Sequence, residues 1–173
     1  MKYTQFKGLS TIESDVQRFR AAWTEGLTAP NTLATTREGE ISCLVNIYCA
    51  PTREQALAEL KPHWEWYAER ARDFYFSDTL KSMGGTVPEE YLARVFPGYP
   101  DPQWKVFVEH GMVCVGSPED CYKYVATLNE YGVDTFFGMF QIGAMPFDKV
   151  MASLELFGKE VAPHFLKQPA RAG

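Results

Sequence analysis

Between Val115 and Phe165 the chain changes hydrophobic period repeatedly, and these changes constrain its fold more than any other feature. Val115-Gly116-Ser117-Pro118-Glu119-Asp120-Cys121 has the chemistry of a helix start: a hydroxyl to cap, a proline for the first helical position and acidic residues in the first turn. Cys121, Val125 and Leu128 then share one helical face, and Gly132 ends the run. Val133 to Ile142 is apolar on both alternations, the pattern of a strand covered on two sides. Pro146 opens a last helix with Val150, Leu154, Phe157 and Val161 on its core face.

Upstream the same grammar recurs. Met1 to Leu9 reads as a polar lead-in, and Ser10-Thr11-Ile12-Glu13 as a capping box. The helix that follows carries Ile12, Val16, Phe19 and Trp23 on one face and has a natural stop at Gly26. Leu27 to Gly39 reads as a loop. Ile41 to Cys49 is apolar and β-branched without clean alternation, which predicts a strand buried on both faces. Thr52-Arg53-Glu54-Gln55 is a second capping box. Its helix puts Leu57, Leu60, Trp64, Tyr67, Ala71 and Phe74 on one stripe, and Pro62 is expected to kink or split it. Phe76 to Lys105 is an excursion punctuated by glycine and proline, with a short helix from Pro88 to Val95; a connection this long is expected to act as a lid, reaching to Met112. Phe107-Val108 and Met112 to Val115 are candidate strand pieces. The order of elements predicts α/β architecture with parallel strands and right-handed crossovers.

Composition removes several functions. The net charge of −5 comes without a cluster of lysine or arginine, so the electrostatic footprint of nucleic acid binding is missing. No stretch approaches the length of apolar sequence that a membrane span needs, and the first 30 residues hold no secretory apolar core. Cys43, Cys49, Cys114 and Cys121 form no C-x-x-C pair and read as buried free thiols of a reducing cytoplasm. Three histidines without i,i+4 spacing give no metal pattern. A flat cofactor pocket would account for the 14% aromatic content, but a core or a subunit interface is sufficient to explain it.

In order, Gly116-Ser117-Pro118-Glu119, Gly132-Val133-Asp134, the strand Phe136 to Gln141 and the helix Ser153 to Phe165 resemble the closing elements of the luciferase-like, flavin-dependent monooxygenases. Cys43-Leu44-Val45-Asn46-Ile47, followed by His63-Trp64 and Tyr67, is similar to that family's sixth strand-helix unit. Gln103 to Val108 is similar to the tryptophan-bearing segment beside the mobile loop of bacterial luciferase. The resemblance spans nearly the whole chain but only the C-terminal half of the family's barrel. It implies a partial TIM-type (β/α) barrel, about three parallel strand-helix units preceded by a helix, since a complete barrel needs eight. The expected organisation is a single half-barrel domain over residues 1–166 with a disordered tail at 167–173.

The resemblance further implies a monooxygenase or oxidoreductase that uses reduced FMN, or a deazaflavin, with O2 and a small organic substrate. The alternative is a non-catalytic flavin-binding or structural dimerising relative. The family's phosphate site and most of its catalytic groups lie on strands with no counterpart here, so no catalytic residue is assigned. Two positions remain on the cofactor side. Trp104 matches a tryptophan close to the flavin, or else anchors a loop onto the core; Gln141 ends the last strand, where barrel enzymes place active-site groups, or else is a satisfied strand end. Phe147 replaces a histidine frequent in related monooxygenases. His110 is a candidate acid or base in a loop, with a surface role as the alternative, whereas His63 and His164, each following a proline, read as structural. Helices from three units cover one face of an arc, so a homodimer or a companion half-barrel chain is expected to bury the other face.

Overall fold

The computed structural model describes residues 2–5, 9–28, 39–75 and 104–166. Ser10's side chain, the loop from 29 to 38, the side chains of Ala71 and Phe74, the excursion from 76 to 103 with its expected helix, and the tail at 167–173 lie outside the described residues. Among the described residues four strands, β1 (Lys2–Gln5), β2 (Glu40–Cys49), β3 (Val113–Gly116) and β4 (Thr135–Met139), form one parallel sheet. With them, among the same residues, stand six helices: α1 (Leu9–Leu27), α2 (Arg53–Tyr75), α3 (Trp104–Glu109), α4 (Pro118–Glu130), α5 (Phe147–Glu160) and α6 (Pro163–Leu166). The predicted α/β plan is present: three parallel strand-helix units, β2-α2, β3-α4 and β4-α5, preceded by α1.

The long strand β2 organises everything else. β4 pairs with residues 42–46 of β2, while β1 pairs with 40–43 and β3 with 46–49. Because β4 shares paired positions with both β1 and β3, those two short strands lie in tandem on the opposite edge of β2. β1 was legible only as a polar lead-in; its residues carry no apolar signal and pair because the first half of β2 offers an open edge.

Helices pack on both faces of the sheet, not one. Cys43, Val45, Ile47 and Cys49 meet α1, α4 and α5 on one side, through Ile12, Cys121, Leu128, Phe157 and Val161. On the other side Tyr48, Val113 and Val115 meet Ala56, Leu60 and Trp64 of α2 and Phe107 of α3. The step from β2 to β3 and the return step across β2 to β4 run in opposite directions, so crossovers of one hand must place α2 and α4 on opposite faces. Double coverage explains why β2 is buried at nearly every position, as its unalternating sequence predicts.

Local chemistry follows the expected lines at α4. Ser117 Oγ accepts from the Asp120 N–H, and Asp120 Oδ2 accepts from the Ser117 N–H at 2.9 Å and the Ser117 hydroxyl at 2.6 Å, a reciprocal cap. Gly132, at φ +89°, closes the helix in a conformation other residues avoid. Thr52 Oγ1 likewise accepts from the Gln55 N–H at the start of α2.

Elsewhere the structure corrects the sequence. Pro62 does not split α2, which runs as one helix. Phe107 and Val108 lie in α3, where Phe107 packs edge-to-face on Trp64 at 5.1 Å; they are not strand. In α5, Ser153 is buried in place of the half-exposed Leu154, because its hydroxyl accepts the Cys49 N–H at 2.8 Å where β4 no longer pairs with β2. β4 reads as the most buried strand, yet Phe137 is 47% exposed. It pairs along one edge only among the described residues.

Candidate functional site

The carboxyl end of β2 opens into a cleft of about 480 Å³ between α2 and α5, lined by Tyr48, Gln55, Glu59, Lys149, Ser153 and Leu156 among others. Ligands of α/β proteins collect outside the carboxyl ends of strands, and this volume suits a small organic molecule. Tyr48, on the last turn of the pleat, donates its hydroxyl to Glu59 Oε2 at 2.6 Å. Lys149 approaches Glu59 Oε1 at 3.1 Å, and Gln55 Nε2 donates to the same oxygen at 3.4 Å. The Tyr48 bond holds Glu59 below the usual carboxylate range, with Lys149 and Gln55 adding to it against the opposing effect of burial. Burial, then the bond to Glu59, pushes the Tyr48 phenol up. A protonated phenol bonded to an ionised carboxylate is a positioning device, unsuited to proton transfer near neutral pH.

The neighbouring crevice between β2 and β3 is closed. α2 and α4 leave these two strands toward opposite faces, which is where an open α/β sheet usually binds phosphate. Here Arg53 meets Asp120 at 3.2 Å, and the Ala50 N–H donates to the Gly116 carbonyl. Burial raises the Asp120 pKa, but the Ser117 bonds and Arg53 outweigh it and hold the carboxyl below its ordinary value. The helix start at Ser117 is therefore a cap, as its sequence indicates.

Cys49, Cys114 and Cys121 converge beneath this crevice, and all four cysteines are free and buried. Bonds among the thiols, with burial, push Cys49 and Cys121 up, while burial alone takes Cys43 to about 11. Thiols in this state are inert packing groups. Among the described residues no group of three or more histidine, cysteine or acidic side chains could hold a metal.

The two predicted cofactor-side residues stand apart in role. Trp104 begins α3, half-buried, with its ring 6.3 Å from that of Trp64. Gln141 follows β4, exposed, and gives its amide N–H groups to the carbonyls of Gly143 and Met145, both at 3.2 Å. Trp104 packs against an apolar cluster that holds Trp64, Ile142 and Met145, and Gln141 is tied to that cluster through the Met145 carbonyl. His110 is an exposed residue of the turn before β3, His164 packs edge-to-face on Tyr122 at 5.2 Å, and Phe147 is 74% exposed at the start of α5. The Tyr48–Glu59–Lys149 group was not found in the sequence. Tyr48 at a strand's carboxyl end was the one available signal, since Glu59 and Lys149 come together only through tertiary packing.

No protein-family profile matches this sequence, and no curated protein does. Solved structures do. The monooxygenase RslO1 from Streptomyces bottropensis is 17% identical, with 95% of this chain and 41% of that one covered at a TM-score of 0.55. The structure of apo-MsnO8 is 17% identical, covering 98% of this chain and 45% of that one at 0.54. The coenzyme F420 dependent tetrahydromethanopterin reductase from Methanopyrus kandleri is 14% identical, covering 95% and 45% at 0.50. The chain thus spans less than half the length of each of these structures. The motifs at Gly116–Glu119, Gly132–Asp134 and Ser153–Phe165 accordingly sit in a chain that has the fold of part of a luciferase-like, TIM-barrel monooxygenase.

Proposed function

We propose that these residues are part of a flavin- or deazaflavin-dependent oxidoreductase of the luciferase-like kind, whose chemistry draws on strand-helix units beyond them. One observation carries the proposal: a likeness of fold that runs over 95% of the chain, in a sequence whose motifs resemble the same proteins in the same order. When bound, the flavin supplies the redox chemistry toward O2 or a small organic substrate, and protein groups orient it and exclude water. Gln141 keeps its Oε1 as an acceptor for a ring N–H, because its own N–H groups are committed to the turn. Trp104 contributes an aromatic wall, backed by the buried Trp64. Asn46 and Ser42 hold buried polar atoms without hydrogen-bond partners among the described residues, the kind of group that a polar ring system satisfies.

These features suit the ring of a flavin better than its phosphate, since Lys149 is held by Glu59 and Arg53 by Asp120. FMN is therefore expected to bind this chain weakly, with a Kd on the order of 100 µM, in a titration followed by flavin fluorescence. A tight stoichiometric complex contradicts the missing phosphate site, and no binding of FMN or a deazaflavin at about 1 mM removes the flavin reading altogether. Oxygen uptake with reduced FMN separates an enzyme from a non-catalytic flavin-binding relative.

The partner we propose is a second copy or a companion chain covering β4. An apolar strand whose second edge is unpaired among the described residues, with a half-exposed Phe137, promotes association. Light scattering that returns a monomer mass at all concentrations defeats this. The free buried thiols favour a cytoplasmic setting, and among the described residues no helix is long and apolar enough to cross a membrane.

A further inference from the structure

α5 exposes an apolar stripe that the flavin reading leaves unused. Val150, Ser153, Phe157 and Val161 turn inward from this stretch of chain, whereas Phe147 is 74% exposed and Leu154 41%. At 3.6 residues per turn, Phe147, Met151, Leu154 and Gly158 fall within an arc of about 60° beside the buried face. Their spacing of four, three and four residues is the one with which a helix offers a seam to a second helix. A Cβ added at Gly158 would meet nothing within 4 Å, so a neighbouring helix can come close at that end. From Phe147 to Gly158 the stripe is roughly 17 Å long, about three turns.

Charge says what kind of helix fits. The solvent-side margin of the stripe carries Asp148 and Glu155, both exposed, on the rim of the Tyr48 cleft. Neither has a cation partner among the described residues, since Lys149 is held by Glu59 and Lys159 by Glu160. We propose that this face of α5 docks an amphipathic helix of a partner protein, whose apolar stripe lies on Phe147, Met151, Leu154 and Gly158 and whose flanking lysines or arginines meet Asp148 and Glu155. A second copy of α5 is the wrong occupant. Packed antiparallel, it would set Asp148 of one copy against Glu155 of the other, like charge against like.

The test uses the full chain and two fluorescein-labelled peptides of about 18 residues, long enough to hold a helix in isolation. Both carry leucine along one stripe; lysine flanks it in the first peptide and glutamate in the second. Anisotropy is expected to show saturable binding of the lysine peptide with a Kd on the order of 100 µM, and about tenfold weaker binding of the glutamate peptide. Leu154→Glu is expected to abolish binding of the lysine peptide. Asp148→Lys combined with Glu155→Lys should reverse the preference in favour of the glutamate peptide, a result that damage to the fold cannot imitate. All three side chains are exposed, so the variants are expected to keep the parent near-ultraviolet spectrum. No saturable binding up to about 1 mM, equal affinity for the two peptides, or an unreversed preference overturns the proposal. So does self-association in light scattering that Leu154→Glu returns to monomer, because a second copy then covers the stripe. Either result is independent of whether the chain binds a flavin.

Discussion

Replacing Gly143 by alanine is expected to destabilise this protein by about 3 kcal/mol, a lowering of the thermal midpoint of roughly 6–12 °C for a chain of this size. Two separate costs meet at this residue. Gly143 sits at φ +55°, where an added side chain costs about 1–2 kcal/mol on its own. A Cβ there would also lie 2.5 Å from the carbonyl oxygen of His63 and 3.2 Å from Cε3 of Trp66. The first contact is with the backbone of α2, which has no rotamer to change, so the turn itself has to lift. Ile142 and Met145 are 2% and 4% exposed against the α2 cluster and would lose part of that burial. The turn also holds Gln141, through the carbonyls of Gly143 and Met145. Gly158→Ala is the internal control: its Cβ would meet nothing within 4 Å inside α5, and a gain of about 0.5–1 kcal/mol is expected. Thermal melts of the two variants should move in opposite directions; a Gly143→Ala protein that melts with the parent means that the turn is not seated on α2.

The contrast between these two glycines shows what was legible in the sequence. Local devices were. The cap at Ser117, the proline after it and the unalternating run of β2 are each decided within a few residues, and each stands where the residues put it. The apolar stripe of α4 is equally local, and Cys121, Val125 and Leu128 are all buried. What periodicity does not encode is the neighbour. Val133 to Ile142 has the composition of a central strand, but among the described residues β4 pairs with β2 alone, and Phe137 stands half in the open. Phe107 and Val108 are apolar and short, equally suited to strand or helix, and contact with Trp64 settled them as helix. The same limit explains the candidate site. Trp104 was singled out by likeness to other chains and Gln141 by its place at the end of a strand, while the ion pair of Glu59 with Lys149 joins two helices 90 residues apart and left no mark in either segment.

Asn46 offers the other large effect, of opposite sign. It lies on β2, 1% exposed, beside Val113 on one edge and Met139 on the other. Neither its Oδ1 nor its Nδ2 meets a hydrogen-bond partner among the described residues. A buried polar group left in this state costs about 1–3 kcal/mol, whereas an apolar side chain of similar shape at the same place carries no such cost. Asn46→Leu is therefore expected to raise the stability of the isolated chain by about 1–3 kcal/mol in urea unfolding, with an unchanged slope. If the amide is kept because it meets the ring of a flavin, the stabilised variant should also bind FMN more weakly than the parent, a trade that a purely structural asparagine would not show. Stability gained with affinity unchanged would remove Asn46 from the site. Stability lost would show that the amide has a partner in the folded chain, and the polar face of β2 would then have to be explained without a ligand.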